Sequence, residues 1–269
     1  MCPRVLHALR DPSCDGRGLR IVQGAGLLLI RAVLFDAGNT LVYLDPSRMV
    51  DILRAEGVEI EIDAFRRIER NTRRILHDRI DEGSRGTEPE LWGEYFLQLF
   101  LDCGVPPGQT RSVGEQVSHE HRADHLWTYA LPHTGDVIGR LREQGYRVAV
   151  ISNADGRMEG ALDVAGVRKH VEFVLDSEIL GVEKPDPRIF EAGCEALGLP
   201  VDACLYVGDL YPVDYVGARS AGLDAVLLDP LGLHRERAET VSDLNELPAW
   251  LARHRATTDR ETGDHASSS

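Results

Sequence analysis

Lysine is nearly missing from this chain. Lys169 and Lys184 are the only lysines among 30 basic residues, so any chemistry that needs a primary amine has two addresses. Cysteine is scarce as well. Cys2, Cys14, Cys103, Cys194 and Cys204 are odd in number and never fall at metal-ligand spacing. That excludes a zinc centre of the usual kind and a disulfide scaffold, and leaves ordinary reduced thiols of a cytoplasmic protein. No apolar run is long enough to span a bilayer: Gly24 to Ile30 (GAGLLLI) is too short, and no small-residue cleavage pattern follows it. A basic excess is absent too. The net charge is −14, which argues against a nucleic-acid backbone or an anionic membrane as partner. A small phosphorylated metabolite stays possible, because a local cationic pocket fits within an acidic surface. Oligomeric state leaves no trace in these features.

What is present suffices for a full core. The chain has 269 residues, 43% of them hydrophobic, enough for one large or two modest domains. Residues 1–29 fit no element and read as a loose extension, or as an over-long start with translation beginning near Leu29. The Ser/Thr-rich stretch 257–269 is expected to be disordered.

The first clear element is Val33 to Leu41 (VLFDAGNTL). Val33, Leu34 and Phe35 read as a buried strand, Asp36 sits at its end, and Gly38 and Asn39 turn the chain before Thr40. Helical spacing then takes over. Met49 to Leu53 mark one helix. Phe65, Ile68, Ile75, Leu76 and Ile80 mark a second, ended by Gly83. Leu91 to Phe100 form a third, stopped by Gly104 and Pro106, and Thr110 to about Leu126 form a fourth. Four amphipathic helices with short connectors predict a bundle inserted after the first strand. Within it, Trp92 and Tyr95 read as core. His121 and His125, four apart, read as an interface pair because no third metal ligand is in sight.

From Leu131 onward strands alternate with helices. Arg147 to Ile151 ends in Ser152-Asn153, a strand follows at Glu172 to Leu175, Cys204 to Val207 ends in Gly208-Asp209, and Ala225 to Leu228 comes last. Alternation of this kind predicts a parallel sheet with helices on both faces. The fold class is α/β: a Rossmann-like core of residues 30–46 and 129–256, with an α-helical cap of residues 47–128.

In an open parallel sheet the ligand crevice lies beyond the carboxyl ends of the strands. Those ends carry Asp36, Ser152 and Asp209, with Asp214 five residues on and Lys184 in the loop GVEKPDP. Each alone has a plain structural reading: a helix cap, a turn residue, a solvated lysine. Together they suit chemistry. Oxygen ligands without His or Cys fit a hard cation such as Mg²⁺. Hydroxyls and an ammonium fit a phosphate dianion. A carboxylate beside both is placed to attack phosphorus.

The four stretches VLFDAGNTL, VAVISN, GVEKPDPRIF and VGDLYPVD resemble, in order, the four motifs of the haloacid dehalogenase superfamily, in the branch with a helical cap after the first strand. The match spans about Arg31 to Pro230. The resemblance implies that Asp36 is the nucleophile and that Thr40, Ser152 and Asn153 bind the phosphoryl group. It implies that Lys184 steadies the phospho-enzyme and that Asp36, Asp209 and the Gly38 carbonyl hold Mg²⁺. Asp214 would orient Lys184 or a metal-bound water.

One position departs from the pattern. Phosphatases of the family usually carry a second aspartate two residues after the nucleophile, as general acid and base; here it is Gly38. Some members regarded as sugar-phosphate phosphatases also have glycine there. Three explanations stand: a good leaving group, a substitute donor such as Tyr43 or Asp45, or a weakened enzyme. A 2-haloacid dehalogenase is disfavoured because the fourth motif keeps both aspartates. A phosphonate hydrolase is disfavoured because the cap has no lysine. A non-catalytic or weakly active phosphate-binding module is the remaining alternative. Six cap arginines (Arg48, Arg54, Arg66, Arg67, Arg73, Arg74) are available to an anionic substrate tail.

Overall fold

The computed structural model describes residues 29–254, so both terminal expectations fall almost wholly outside it. Six parallel strands form the sheet, in the order β5-β4-β1-β6-β7-β8. They are β1 (Ala32–Phe35), β4 (Arg147–Ser152), β5 (Val174–Asp176), β6 (Cys204–Gly208), β7 (Asp224–Leu228) and β8 (Thr240–Val241). β1 lies at the centre, with Phe35 level with Val150 on one side and Val207 on the other. All four of its residues are fully buried, as a central parallel strand covered on both faces requires.

The two faces sort by alternation. Val33, Phe35, Val148, Val150, Leu205 and Val207 pack against α6 (Thr134–Glu143) and α7 (Met158–Val164). Leu34, Ala149, Ile151 and Tyr206 pack on the other face against Ile189 and Phe190 of α8 (Pro187–Leu197). Period-2 side-chain placement leaves the residue after each strand free to face the crevice.

Five helices, not four, follow β1: α1 (Pro46–Ala55), α2 (Ile62–Thr72), α3 (Arg74–Asp81), α4 (Pro89–Asp102) and α5 (Thr110–Ala123). They enclose their own apolar cluster, including Met49, Leu53, Phe65, Leu76, Tyr95, Leu99 and Val113. The expected second helix is broken at Arg73. Thr72 Oγ1 donates back to the Ile68 carbonyl at 3.0 Å, a bond that bends helices. Arg73 turns inward to pair with Glu69 at 3.1 Å and covers the Tyr43 ring.

Two features went unread in the sequence. β2 (Tyr43–Leu44) and β3 (Trp127–Tyr129) form an antiparallel ribbon where the chain enters and leaves the helical bundle. β8 adds a sixth strand beside β7. The strand expected at 172–175 starts later, at Val174. Among the described residues no helix is long and apolar enough to cross a membrane.

Candidate active site

A cleft of about 1390 Å³ separates the sheet's carboxyl edge from the helical bundle. Its floor is charged. Lys184 Nζ donates to Asp36 Oδ1 at 2.6 Å, to Asp214 Oδ1 at 2.7 Å and to the Tyr206 hydroxyl at 3.0 Å. These three bonds use every proton of the ammonium. Asp36, Asp214, Asp209 and Lys184 are all at least nine-tenths buried.

Each group is held from behind. The Asp36 amide donates to Val207 O at 2.8 Å, tying the nucleophile candidate to β6. The turn beyond it closes with Leu41 and Val42 amides on the Ala37 carbonyl, and Asn39 sits at φ 56°, a left-handed conformation that asparagine tolerates. Asp214 Oδ2 accepts from the Leu210 amide at 2.9 Å. A Cβ at Gly208 would come within 2.4 Å of the Asp214 carboxyl carbon, so glycine there is what lets Asp214 reach under Lys184.

The electrostatics follow from three carboxylates facing one ammonium. Burial, helped by the Asp214 charge, pushes the Asp36 carboxyl up to about 6 in spite of Lys184. Burial and the charges of Asp36 and Asp214 push Asp209 well above the ordinary carboxylate value. Burial works against the Lys184 charge, yet Asp214 and Asp36 outweigh it and hold the ammonium firmly protonated. One oxygen from each of Asp36, Asp209 and Asp214 lies within 4.8 Å of the others. An oxygen-only donor set with surplus negative charge fits a hard divalent cation. Asp36 and Asp209 border the cleft together with Gly38, whereas Asp214 lies beneath the floor.

Of the residues expected to bind the phosphoryl group, Asn153 borders the cleft with its side chain engaged on Lys184, and Thr40 lies away from the cleft. Asn153 Oδ1 accepts from the Lys184 amide at 2.8 Å and its Nδ2 donates to the Lys184 carbonyl at 2.9 Å. Its side chain therefore clamps the Lys184 loop. Thr40 is fully buried under the turn, and its Oγ1 has no partner; it does not border the cleft. Ser152 does border it.

The substitute donors also sit elsewhere. Asp45 caps α1, accepting from the Ser47 and Arg48 amides. The Tyr43 hydroxyl donates to Thr40 O at 3.3 Å, and burial pushes its pKa above the ordinary phenol value. None of the six cap arginines named above borders the cleft. Arg48 pairs with Asp124, Arg54 with Asp51, and Arg66 with Asp63.

Sequence reading missed Tyr206, Trp127 and Asp155. Tyr206 lies mid-strand and fully buried; a hydroxyl in such a run needs a partner, and that was the available signal. Trp127 and Trp92 both border the cleft, so Trp92 is a wall residue as well as packing, while Tyr95 is core and donates to Glu69 at 3.0 Å. The third is Asp155, which faces Nε2 of His121 at 3.6 Å and of His125 at 3.9 Å. Each imidazole Nδ1 accepts a backbone N–H, from Leu126 and Trp127 respectively, at 3.2 Å. Nη2 of Arg157, which can only donate, lies 3.2 Å from His121 Nε2 and 2.6 Å from Asp155 Oδ2, so a guanidinium already stands between these groups and the trio reads as an interface contact.

A family model described as "Hydrolase: haloacid dehalogenase-like hydrolase" matches residues 30–222. Human "Haloacid dehalogenase-like hydrolase domain-containing protein 3" is 34% identical over 75% of this chain and 82% of its own length. "Phosphatase MT3486" of Mycobacterium tuberculosis is 31% identical over 82% of this chain and 97% of its own length. Among solved structures, YfnB of Bacillus subtilis, determined with magnesium bound, covers 83% of this chain and 99% of its own at a TM-score of 0.55. Its 19% identity speaks for the fold alone. The family match takes in all the charged residues of the cleft floor, and the chain belongs to the haloacid dehalogenase-like hydrolases.

Proposed function

We propose that this hydrolase is a Mg²⁺-dependent phosphatase that cleaves a small phosphate monoester through a phosphorylated Asp36. The observation that carries the reading is the buried Lys184 ammonium, 2.6 Å from Asp36 and 2.7 Å from Asp214. It leaves one Asp36 oxygen free while neutralising the other. Residues 47–128 then serve as the cap over a catalytic core of 30–46 and 129–256.

Asp36, Asp209 and the Gly38 carbonyl would hold Mg²⁺, which when bound offsets negative charge on the phosphate and the carboxylates. Asp36 attacks phosphorus with its free oxygen. Lys184, fixed by Asp214 and Tyr206, stays paired with the remaining Asp36 oxygen as the acyl phosphate forms. Ser152 faces the transferring group from the end of β4. Asn153 keeps the Lys184 loop in register, and Asp214 acts through Lys184. Thr40 shapes the turn that aims Asp36. Closing the cap excludes bulk water during the first transfer. The free, buried thiols Cys103, Cys194 and Cys204 fit a reducing cytoplasm.

The test is a screen of phosphorylated metabolites with Mg²⁺, run beside Asp36→Asn and a set of 2-haloacids. Release of phosphate by the wild type should fall by more than about 10⁴-fold in Asp36→Asn, as when a covalent nucleophile is removed. Turnover that survives the substitution refutes the mechanism, and halide release without Mg²⁺ replaces the reaction.

A further inference from the structure

Among the described residues, the carboxyls grouped with Asp36 are Asp209, given above to Mg²⁺, and Asp214, held by Lys184. Position 38 is glycine, and Asp45 and Tyr43 are engaged elsewhere. Lys184 has committed its three protons. Burial would raise the Asp155 carboxyl, but its hydrogen bond from Arg157 holds it below the ordinary value, so it stays a carboxylate. Burial and the His121 charge depress His125 to about 4, which leaves a neutral imidazole at working pH. Glu183 of the Lys184 loop is turned to the Thr87 hydroxyl of the cap at 3.3 Å.

Above the floor stands an aromatic wall. Trp127 meets Trp92 edge-on with ring centres 5.4 Å apart and Phe96 at 6.2 Å. All three are half-buried and border the cleft. A Cβ placed on Gly38 would find one atom within reach, Trp127 Cδ1 at 4.0 Å. The wall therefore begins where the missing acid would have stood, beside the nucleophile.

We infer that the substrate is an aryl phosphate, the phosphate monoester of an aromatic hydroxyl, whose ring lies against Trp127, Trp92 and Phe96. The inference rests on the phosphatase reading and names its substrate class. In the first step an Asp36 oxygen bonds to phosphorus and the bond from phosphorus to the aryl oxygen breaks. The bonding pair leaves on that oxygen as a phenolate, which takes its proton from solvent. Water then attacks phosphorus, the bond from phosphorus to the Asp36 oxygen breaks with its pair returning to the carboxylate, and the water's protons leave on the inorganic phosphate and to solvent. A phenolate departs without protonation; an alkoxide does not.

The test compares phenyl phosphate with benzyl phosphate, which present the same ring with different leaving groups, in wild type with Mg²⁺ and in Asp36→Asn and Gly38→Asp. In single turnovers, phenyl phosphate should phosphorylate Asp36 faster than benzyl phosphate by about 10²- to 10⁴-fold, the usual worth of general acid help. The two KM values should agree and lie below that for glycerol phosphate. Trp127→Leu should raise both by about 2- to 10-fold, the range of an aromatic contact. Gly38→Asp has room to fold and should bring the benzyl kcat up by about 10-fold or more. Equal single-turnover rates of Asp36 phosphorylation by the two esters, abolished by Asp36→Asn, overturn the inference and leave the phosphatase reading intact. A large phenyl-to-benzyl ratio that Gly38→Asp leaves unchanged also overturns it. No turnover of either ester refutes the phosphatase reading and the inference with it.

Discussion

Replacing Lys184 by methionine isolates what the ammonium does. The side chain lies 2% exposed between Asp36 and Asp214, at 2.6 and 2.7 Å. Methionine nearly matches its volume, so the change removes charge rather than packing. Breaking a buried pair from one side costs about 3–5 kcal/mol, because the partner charge stays behind. Here two partners remain, with Asp209 beside them. Asp36 already sits at about 6, raised from 3.8 by burial; a shift of that size is worth about 3 kcal/mol. The sign follows from the direction. A carboxyl whose folded pKa is raised favours the folded state below its unfolded pKa, and that contribution is lost as pH rises through the folded value. Without Lys184 the folded values climb further, so the loss extends to higher pH. Chemical denaturation of Lys184→Met should show a deficit of about 3–5 kcal/mol at pH 8, shrinking to about 1–2 kcal/mol at pH 5, where the carboxyls take protons and only the bond to Tyr206 is missed. Excess Mg²⁺ at pH 8 should stabilise the variant more than the wild type. A deficit equal at both pH values would refute a charge role for Lys184.

Tyr206→Phe removes a hydroxyl that accepts from Lys184 at 3.0 Å and donates to Ile151 O at 3.0 Å. Leaving both unpaired should cost about 1–3 kcal/mol in denaturant, with a drop in kcat and little change in KM. His77, on α3, packs against His234 with ring centres 5.7 Å apart; burial, with His234 and Arg73 beside it, lowers its pKa to about 4. A depressed histidine supports the fold above its unfolded value of 6.5 and loses that support as pH falls through 4, a difference of at most about 3 kcal/mol. His77→Leu should flatten the acid limb of the stability profile between pH 6.5 and 4; an unchanged slope would assign that limb to other groups.

The central strand and the crevice were legible because both rest on local signals. Apolar runs of four to six residues, each followed by a small polar cluster, can be read one strand at a time. β8 escaped because Thr240–Val241 is two residues long, below any periodicity. The break at Arg73 escaped because it depends on a partner, Glu69, and a ring, Tyr43, that only the fold brings together. The site shows the same division. Asp36, Lys184, Asp209 and Asp214 announce themselves at strand ends, whereas the roles of Asn153 and Thr40 are set by where their side chains point. Asn153 turned to the Lys184 backbone and Thr40 turned under its own loop. An amide at a crevice has several backbone partners in reach, and a hydroxyl four residues past the nucleophile can be buried with none; sequence spacing does not choose among these outcomes.

Gly38 illustrates the choice that packing leaves open. Its φ is not in the left-handed region, and a Cβ there meets nothing closer than 4.0 Å. Neither backbone strain nor crowding demands glycine, so the residue is explained by the chemistry it permits. An aspartate at that position would have its Cβ 4.0 Å from Trp127 Cδ1, on the aromatic side of the cleft and close to the nucleophile. Desolvation and like charge would both raise its pKa, and the aromatic surface would lose contact with a bound ring. A proton donor there and a bound ring would share the space beside Trp127. With glycine there, no carboxyl stands between the wall and Asp36, and the proposed reaction is left to substrates whose oxygen departs unaided.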